Sequence, residues 1–383
     1  MANWFVIADD LTGAAEIAGI AWHSGCTVKL LTGGSGDGHT GEDVLVVNAD
    51  TRNLDPEDAA GHISEVLLYG GYQEDRKLFL KTDSLLRGNV GSEILAALSA
   101  TSFSSCLLVP ANPSKQRIIR DSNYYIDNTL LAETEYRNDP EYPRTTSDVA
   151  EMLAVEPERI DTAEIDWNHC QGKIMVPDVC DTGDIRSLIS TRITGDVLPA
   201  GGVDFFRELL IDSGSTEAGV TPPGMEYPSE KCFVFGSYAN ANRKALVALA
   251  RKRYSIYDIP APVRNGDSSN GNDAPAVPLH LESGDKTVLK LQDRYIDNPE
   301  IREAMLDQLV EIAADLAMTA TGPIHFLVTG GRTASLFCKK LHWNQLSVVA
   351  APGNGLTTLK YKDVEHLITL KPGSYDWPDF MLK

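Results

Sequence analysis

The chain is poor in the features that would make classification easy. No stretch approaches the roughly 18 apolar residues that a membrane span requires, so a membrane protein is not expected. The six cysteines (Cys26, Cys106, Cys170, Cys180, Cys232 and Cys338) are scattered, without a CxxC pair. That speaks against zinc and for reduced, mostly buried thiols. The eight histidines form no HxH or HExxH set and are expected in structural or surface roles. No basic segment followed by an apolar run marks the N-terminus, which leaves the cytoplasm as the expected location. Positive charge is also scarce: 34 Lys and Arg face 54 Asp and Glu, a formal net charge of -20. Such a surface repels phosphate backbones and makes nucleic acid an improbable partner. Neither the Walker A pattern nor a G-x-G-x-x-G after the first strand is present.

What is present is a regular alternation. Apolar runs at 4–8, 27–31, 44–49, 77–82, 106–111 and 173–177 predict strands, with helical stretches such as 56–69 and 89–100 between them. A second series follows at 231–237, 287–291, 325–331, 346–353 and 366–373, with helices predicted over 240–252, 297–319 and 333–341. Continuous apolar strands alternating with helices predict mostly parallel sheets covered on both faces. At 383 residues, two domains are expected. The Pro/Gly-rich stretch 217–231 is the candidate boundary, dividing the chain into 1–224 and 225–383. Residues 112–148 break the rhythm and read as a long irregular excursion, which in compact domains is more often functional than idle. The polar stretch 264–278 reads as a surface loop within the second domain.

In doubly wound sheets ligands bind beyond the carboxyl ends of the strands, which selects a few loops. Asp9 and Asp10 leave the first strand just ahead of a helix. Adjacent residues on a strand point to opposite sides, so one carboxylate is expected to face a ligand while the other caps the helix or bonds a neighbouring loop. A plain helix cap with a spare surface aspartate fits equally well. The stretch 48–56 offers Asp50 and Arg52, whose planar fork suits a carboxylate or phosphate, or which sits in an ordinary turn. Lys81, Thr82, Asp83, Ser84 and Arg87 gather at a strand-to-helix junction. Two cations, a carboxylate and a hydroxyl there suit a polyol acid, and a solvated charge cluster is the bland alternative. Lys115, Arg117 and Arg120 make the excursion locally basic.

The second domain has Gly-bearing strand exits at Gly236-Ser237, Gly330-Gly331-Arg332-Thr333 and Gly353-Asn354-Gly355. Glycine lets backbone N–H groups approach phosphate oxygens, and a following helix adds its dipole. Each loop alone is more often a turn than a cradle; together they point to a nucleotide.

Taken in order, VIADDLTGAAEIAG, DTRNL, KTDSLLRGNVGSEI, VPANP, VFGSYANANRKAL, TGGRTA and ITLKPGSYD resemble the four-carbon acid sugar kinases, also described as 3-oxo-tetronate, D-threonate or D-erythronate kinases. The resemblance implies an N-terminal sugar-acid domain, a C-terminal ATP domain, an active site in the cleft between them, and phosphorylation of a terminal hydroxyl. It implies substrate contacts from Asp10, Arg52, Lys81, Thr82, Asp83, Ser84 and Arg87, and nucleotide contacts from Ser237, Gly330, Gly331, Arg332, Thr333, Gly353 and Gly373. Three positions depart from the family pattern: Arg332, the Lys371–Asp376 loop, which loses two small residues, and Leu85. The expected mechanism is in-line transfer from Mg-ATP, with Asp10 or Asp83 orienting or deprotonating the hydroxyl and Arg52, Lys81 and Arg87 holding the carboxylate. Asp10 is expected to face the sugar acid and Asp9 to serve structure. The metal ligands are unassigned, and a homodimer is the prior for assembly. The alternatives are a sugar-acid sensor that has lost ATP binding and, behind it, a phosphohydrolase, although the DxD spacing of aspartyl-phosphate enzymes is absent.

Overall fold

The computed structural model describes residues 3–33, 41–139, 142–162, 165–215, 226–236, 240–261, 286–292, 298–353, 355–373 and 375–382. The chain forms two compact units, Met1–Gly219 and Val220–Lys383. The expected boundary at 224/225 and the loop at 264–278 lie outside the described residues.

In the first unit the strands are β1 (Trp4–Ala8), β2 (Val28–Leu31), β3 (Val44–Asn48), β4 (Lys77–Lys81), β5 (Ser105–Val109), β6 (Arg117–Arg120), β7 (Asn123–Ile126), β8 (Thr129–Leu130), β9 (Ile160–Asp161), β10 (Ile174–Met175) and β11 (Val197–Gly201). The helices are α1 (Leu11–His23), α2 (Pro56–Tyr69), α3 (Val90–Ala100), α4 (Val149–Leu153), α5 (Thr182–Arg192) and α6 (Val203–Asp212). The main sheet runs β2-β3-β1-β4-β11-β5-β10-β9, parallel throughout. Strands β1, β3, β5 and β11 are buried at every residue, as a sheet covered on both faces requires. Phe79 and Phe206 pack at 4.9 Å and Trp4 meets Phe206 at 5.5 Å, pinning α6 to the sheet.

The order of strands decides where a ligand can sit. The chain leaves β1 for β2 on one side and later returns to β4 on the other, so β1 lies at a topological switch point. The register is level there: Ala8 pairs with both Asn48 and Lys81, and Lys81 with Gly201. The segments after β1, β3 and β4 therefore leave the sheet side by side.

Strand β11 was not anticipated, and its sequence VLPAG shows why. A proline and a glycine argue against a central strand, yet β11 lies between β4 and β5. Helices α5 and α6 flank it. The excursion is also more ordered than expected, because β6, β7 and β8 form a small antiparallel sheet. Its turns use left-handed pairs at Asp121-Ser122 and Asp127-Asn128, the geometry of two-residue hairpin loops without the usual glycine.

The second unit contains β12 (Glu230–Phe235), β13 (Ser255–Ile259), β14 (Lys286–Leu291), β15 (Ile324–Thr329), β16 (Gln345–Gly353), β17 (Leu356–Tyr361) and β18 (Leu367–Lys371), with α7 (Asn240–Arg251), α8 (Pro299–Thr319) and α9 (Gly331–Lys340). The order is β13-β14-β12-β15-β18-β17-β16. Within it β17 alone runs against its neighbours, so β16, which ends in Gly353, and β18, which leads to Gly373, end at the same edge as β15. Phe233, Phe235, Leu249 and Trp377 form the core. The mostly parallel, helix-flanked α/β class expected from the sequence is the class found, and no described helix is long and apolar enough to cross a membrane.

One glycine limits how the loops after β3 and β4 can pack. Gly88 has φ of 82°, and a Cβ there would lie 3.0 Å from Arg52 Cγ and 3.2 Å from the Arg52 carbonyl oxygen. A Gly88→Ala protein should lose about 1–3 kcal/mol of stability, through left-handed backbone strain and this contact. Urea unfolding of the two proteins checks it; equal midpoints would show that the loop relaxes freely.

Candidate functional site

Arg52 joins the three strand exits of the first unit. Its Nε donates to Asp9 Oδ2 at 2.7 Å, and its terminal nitrogens reach Asp10 Oδ2 at 2.8 Å and Asp83 Oδ1 at 3.6 Å. Arg87 closes the other side, donating from Nε and a terminal nitrogen to the two oxygens of Asp83 at 2.9 and 2.8 Å. The backbone turns sharply to permit this, with left-handed Asp50 and Leu86. Asn89 ties the loops together by donating to the Thr51 and Leu54 carbonyls.

The two neighbouring aspartates divide their work differently from expectation. The cap of α1 is Asp10: its Oδ1 accepts from Gly13 N at 2.8 Å and its Oδ2 from the Thr12 hydroxyl at 2.6 Å. Both carboxylates also hold Arg52, because the long guanidinium fork spans adjacent residues where the strand has already ended. Exposure separates them. The side chains of Asp10 and Asp83 each keep 8% of their surface open, against 1% for Asp9. Asp10 and Asp83 are therefore the more solvent-accessible of the three carboxylates.

The electrostatics follow from burial and these pairings. Burial disfavours ionised Asp83, but Arg87 and then Arg52 outweigh it and hold its carboxyl well below the usual range. Burial likewise opposes charge on Arg52, and Asp10, Asp9 and Asp83 reverse the balance, keeping it firmly cationic. Asp9 is raised by burial, with Arg52 opposing. Behind it Glu93 of α3 is 5% exposed. Burial, with Asp9 adding repulsion, pushes its carboxyl up to about 8, so Glu93 is neutral at pH 7.

Lys81 is buried and donates to the Thr82 carbonyl at 2.8 Å. A Cβ on Gly13 would lie 3.3 Å from its Nζ, so α1 starts directly against this ammonium. Ser84 accepts from Arg117 of β6 at 2.5 Å. The excursion thus delivers Arg117 to the site, with Tyr136 3.5 Å from its guanidinium. Tyr142 donates to the Arg52 carbonyl at 2.6 Å, and Asp139 stands 3.8 Å from Arg87. No ion pair between described residues joins Arg120 to the site. Asp9 Oδ1, Thr51 Oγ1, Thr82 Oγ1, Glu93 Oε1, Tyr124 OH and Arg144 Nε are buried without a hydrogen-bond partner. So many orphaned polar atoms in one region mark a place built for polar occupants rather than for packing.

In the second unit Gly330 precedes α9 with φ of 98°, and Gly331 and Thr333 are buried in its first turn. Gly236 lies against Thr333, whose hydroxyl would clash with any Cβ at that position, so the exits of β12 and β15 meet. Arg332 turns away to pair with Glu303 of α8 at 2.5 Å. Lys371 is fully buried and donates to the carbonyls of Pro372 and Tyr375. Burial, opposed by Asp376, lowers its pKa to about 7. Gly373 is half-buried and Gly353 exposed. Ser237 lies outside the described residues. No group of three or more His, Cys, Asp or Glu among the described residues is placed to hold a metal.

Residues 4–190 match the family model of the sugar-binding N-terminal domain. A D-threonate kinase from Salmonella typhimurium is 29% identical over 154 residues, covering 40% of this chain and 36% of that protein. A D-threonate kinase from Bordetella bronchiseptica is 26% identical over 403 residues, covering 99% of this chain and 95% of that protein. These matches support the resemblance to the four-carbon acid sugar kinase family, at modest identity. The Salmonella alignment spans only about a third of that relative's length, whereas the Bordetella alignment extends through the second unit. A solved Haemophilus influenzae protein shares the fold at a TM-score of 0.67, with 17% identity and 98% coverage of both chains.

Sequence reasoning passed over Glu93, Tyr136, Asp139, Tyr142 and Arg144. Glu93 stands in the quoted RGNVGSEI stretch and is a glutamate in an otherwise apolar helix turn, a usable signal. The others sit in a segment without periodicity and had none. Glu93 also makes stability depend on pH. Its folded pKa of about 8 exceeds the ordinary value of 4.5, so folding takes up a proton in that window and stability falls as pH rises through it. A Glu93→Gln protein should lose less stability between pH 5 and pH 8, by on the order of 1 kcal/mol or more. Denaturant unfolding at both pH values measures it, and parallel losses would refute the buried neutral carboxyl.

Proposed function

We propose that this chain is an ATP-dependent kinase that phosphorylates the terminal hydroxyl of a four-carbon or related sugar acid. The observation that carries this reading is the Asp10–Arg52–Asp83–Arg87 network at the switch point of a sugar-binding domain. It presents two reachable carboxylates with fixed orientation, of which Asp83 is held ionised by Arg87 and Arg52. Phosphoryl transfer asks for positioning and charge neutralisation more than for covalent help.

In this reading the substrate hydroxyl donates to Asp10 or Asp83 as its oxygen attacks the γ-phosphorus. The bond to the ADP oxygen breaks, and the hydroxyl proton passes to the carboxylate. Asp83 is a weak base because Arg87 stabilises its charge, which suits a loose transition state where proton loss comes late. Arg52 and Arg87 act chiefly by holding these carboxylates. Thr82 and Ser84 offer hydroxyls to the polyol, and Lys81 adds positive charge beneath it.

The nucleotide would be held by the Gly330–Thr333 turn at the start of α9, with Gly353, Gly373 and Ser237 as further candidates. Backbone N–H groups at that helix start suit phosphate oxygens. Arg332 is engaged by Glu303, so its help to a phosphate requires that pair to open. Mg²⁺ would arrive on the nucleotide. Asp10 and Asp83 already accept from guanidinium and backbone donors, so neither is assigned as its ligand.

An ADP-release assay with Mg-ATP across four- and five-carbon sugar acids tests the reading. Release should depend on one acid, and Asp83→Asn and Asp10→Asn should each lower kcat by at least ~100-fold. An Asp10→Asn enzyme with near-full activity would remove Asp10 from the proton-accepting role. The sensor alternative draws support from the Lys371–Asp376 loop and the engaged Arg332. Calorimetric binding of an acid with no heat from Mg-ATP and no ADP release would favour it.

A further inference from the structure

The arginines of the site are not equivalent. Arg52 is committed to Asp9 and Asp10, and Arg87 to both oxygens of Asp83. Arg117 is donating to Ser84. Arg144 differs from all three. Among the described residues it has no ion pair within 4.0 Å, and its Nε is buried without a hydrogen-bond partner. Asp83, Arg87, Asp139 and Tyr142 are its charged and polar neighbours, so it stands beside the carboxylate network without being consumed by it.

Its position is fixed from two sides. The Arg144 N–H donates to the Tyr136 carbonyl at 2.9 Å, and two residues earlier Tyr142 bonds the Arg52 carbonyl and Asn53. The stem is therefore anchored to the loop after β3, while the guanidinium lacks the planar oxygen pair that it normally takes. Burial lowers its pKa, and Asp83 and Asp139 only partly offset this. A half-buried cation whose Nε is sealed from water, without a carboxylate partner among the described residues, gains from an anionic ligand. A sugar acid brings a single planar carboxylate, and the other arginines nearby already hold oxygen acceptors.

We propose that Arg144 is the specificity-determining residue that receives the substrate carboxylate, in place of Arg52 and Arg87, and so selects acids over neutral polyols. This rests on the sugar-acid reading above. It orients the ligand: the carboxylate lies on Arg144 at the excursion, and the polyol chain runs along Ser84 and Thr82 towards Asp83 and Asp10. The terminal hydroxyl then meets the reachable carboxylates.

The test is calorimetric and needs no nucleotide. D-Threonate, D-erythronate and their neutral primary amides are titrated into the full chain and into Arg144→Gln and Arg144→Lys. The unaltered protein should prefer acid to amide. Arg144→Gln should weaken acid binding by about 10- to 100-fold and change amide binding by no more than about 3-fold. Arg144→Lys, which keeps the charge but loses the fork, should fall between and guards against loss through misfolding. Undiminished acid binding by Arg144→Gln, or equal loss for acid and amide, overturns the assignment while leaving the sugar-acid reading intact. Absence of acid binding by the unaltered protein sinks that reading, and this assignment with it.

Discussion

Everything in the first unit's site depends on one guanidinium. Asp9, Asp10 and Asp83 leave two parallel strands at the switch point and are nearly sealed from water. Each buried carboxylate costs several kcal/mol unless it is paired. Arg52 reaches all three, with its closest oxygens at 2.7 and 2.8 Å, and Arg87 completes the compensation at Asp83. The level register of β1, β3 and β4 makes this reach possible, because it sets the three exits at one height. At Glu93 burial and the neighbouring Asp9 outweigh the pull of Arg52, and it stays neutral instead. The same field thus holds Asp83 ionised at the front and leaves Glu93 protonated behind.

This arrangement demands an awkward backbone. Asp50 and Leu86 adopt left-handed conformations that cost non-glycine residues roughly 1 kcal/mol or more each. They are held by the Asn89 amide and by backbone bonds from Thr51 and Arg52 to the Asp9 carbonyl at 3.0 and 3.2 Å. Strain retained beside a charged network is typical of a site kept in shape before its ligand arrives. The excursion then supplies Ser84 with a donor and Arg52 with a tyrosine prop.

A smaller device recurs in both units. Lys81 and Lys371 end their strands and Lys290 stands one residue before the end of β14; all three are buried and donate to the carbonyl of the next residue, at 2.8, 2.9 and 3.4 Å respectively. Burying an ammonium is costly, and here the strand-end carbonyls and nearby carboxylates offset it. At Lys371 burial outweighs the opposing Asp376, and its pKa falls to about 7. The second unit keeps two of its Gly-rich exits together through Gly236 and Thr333, while the Lys371–Asp376 loop is organised around the lysine.

The sequence alone determined the alternation of apolar strands and helices, and with it the α/β class and the loops where polar chemistry collects. Asp10, Arg52, Lys81, Asp83 and Arg87 were all legible as residues at strand exits, because local pattern and the rule for parallel sheets suffice to find them. Glu93 was legible in principle. Only the tertiary structure decided who pairs with whom. It made Asp10 both the cap of α1 and a partner of Arg52, turned Arg332 towards Glu303, ran a proline-bearing segment through the sheet as β11, and brought Arg117 and Arg144 beside residues far away in the chain. Local propensity cannot encode these outcomes. They depend on strand order, register and the balance of buried charge, which exist only once distant segments have met.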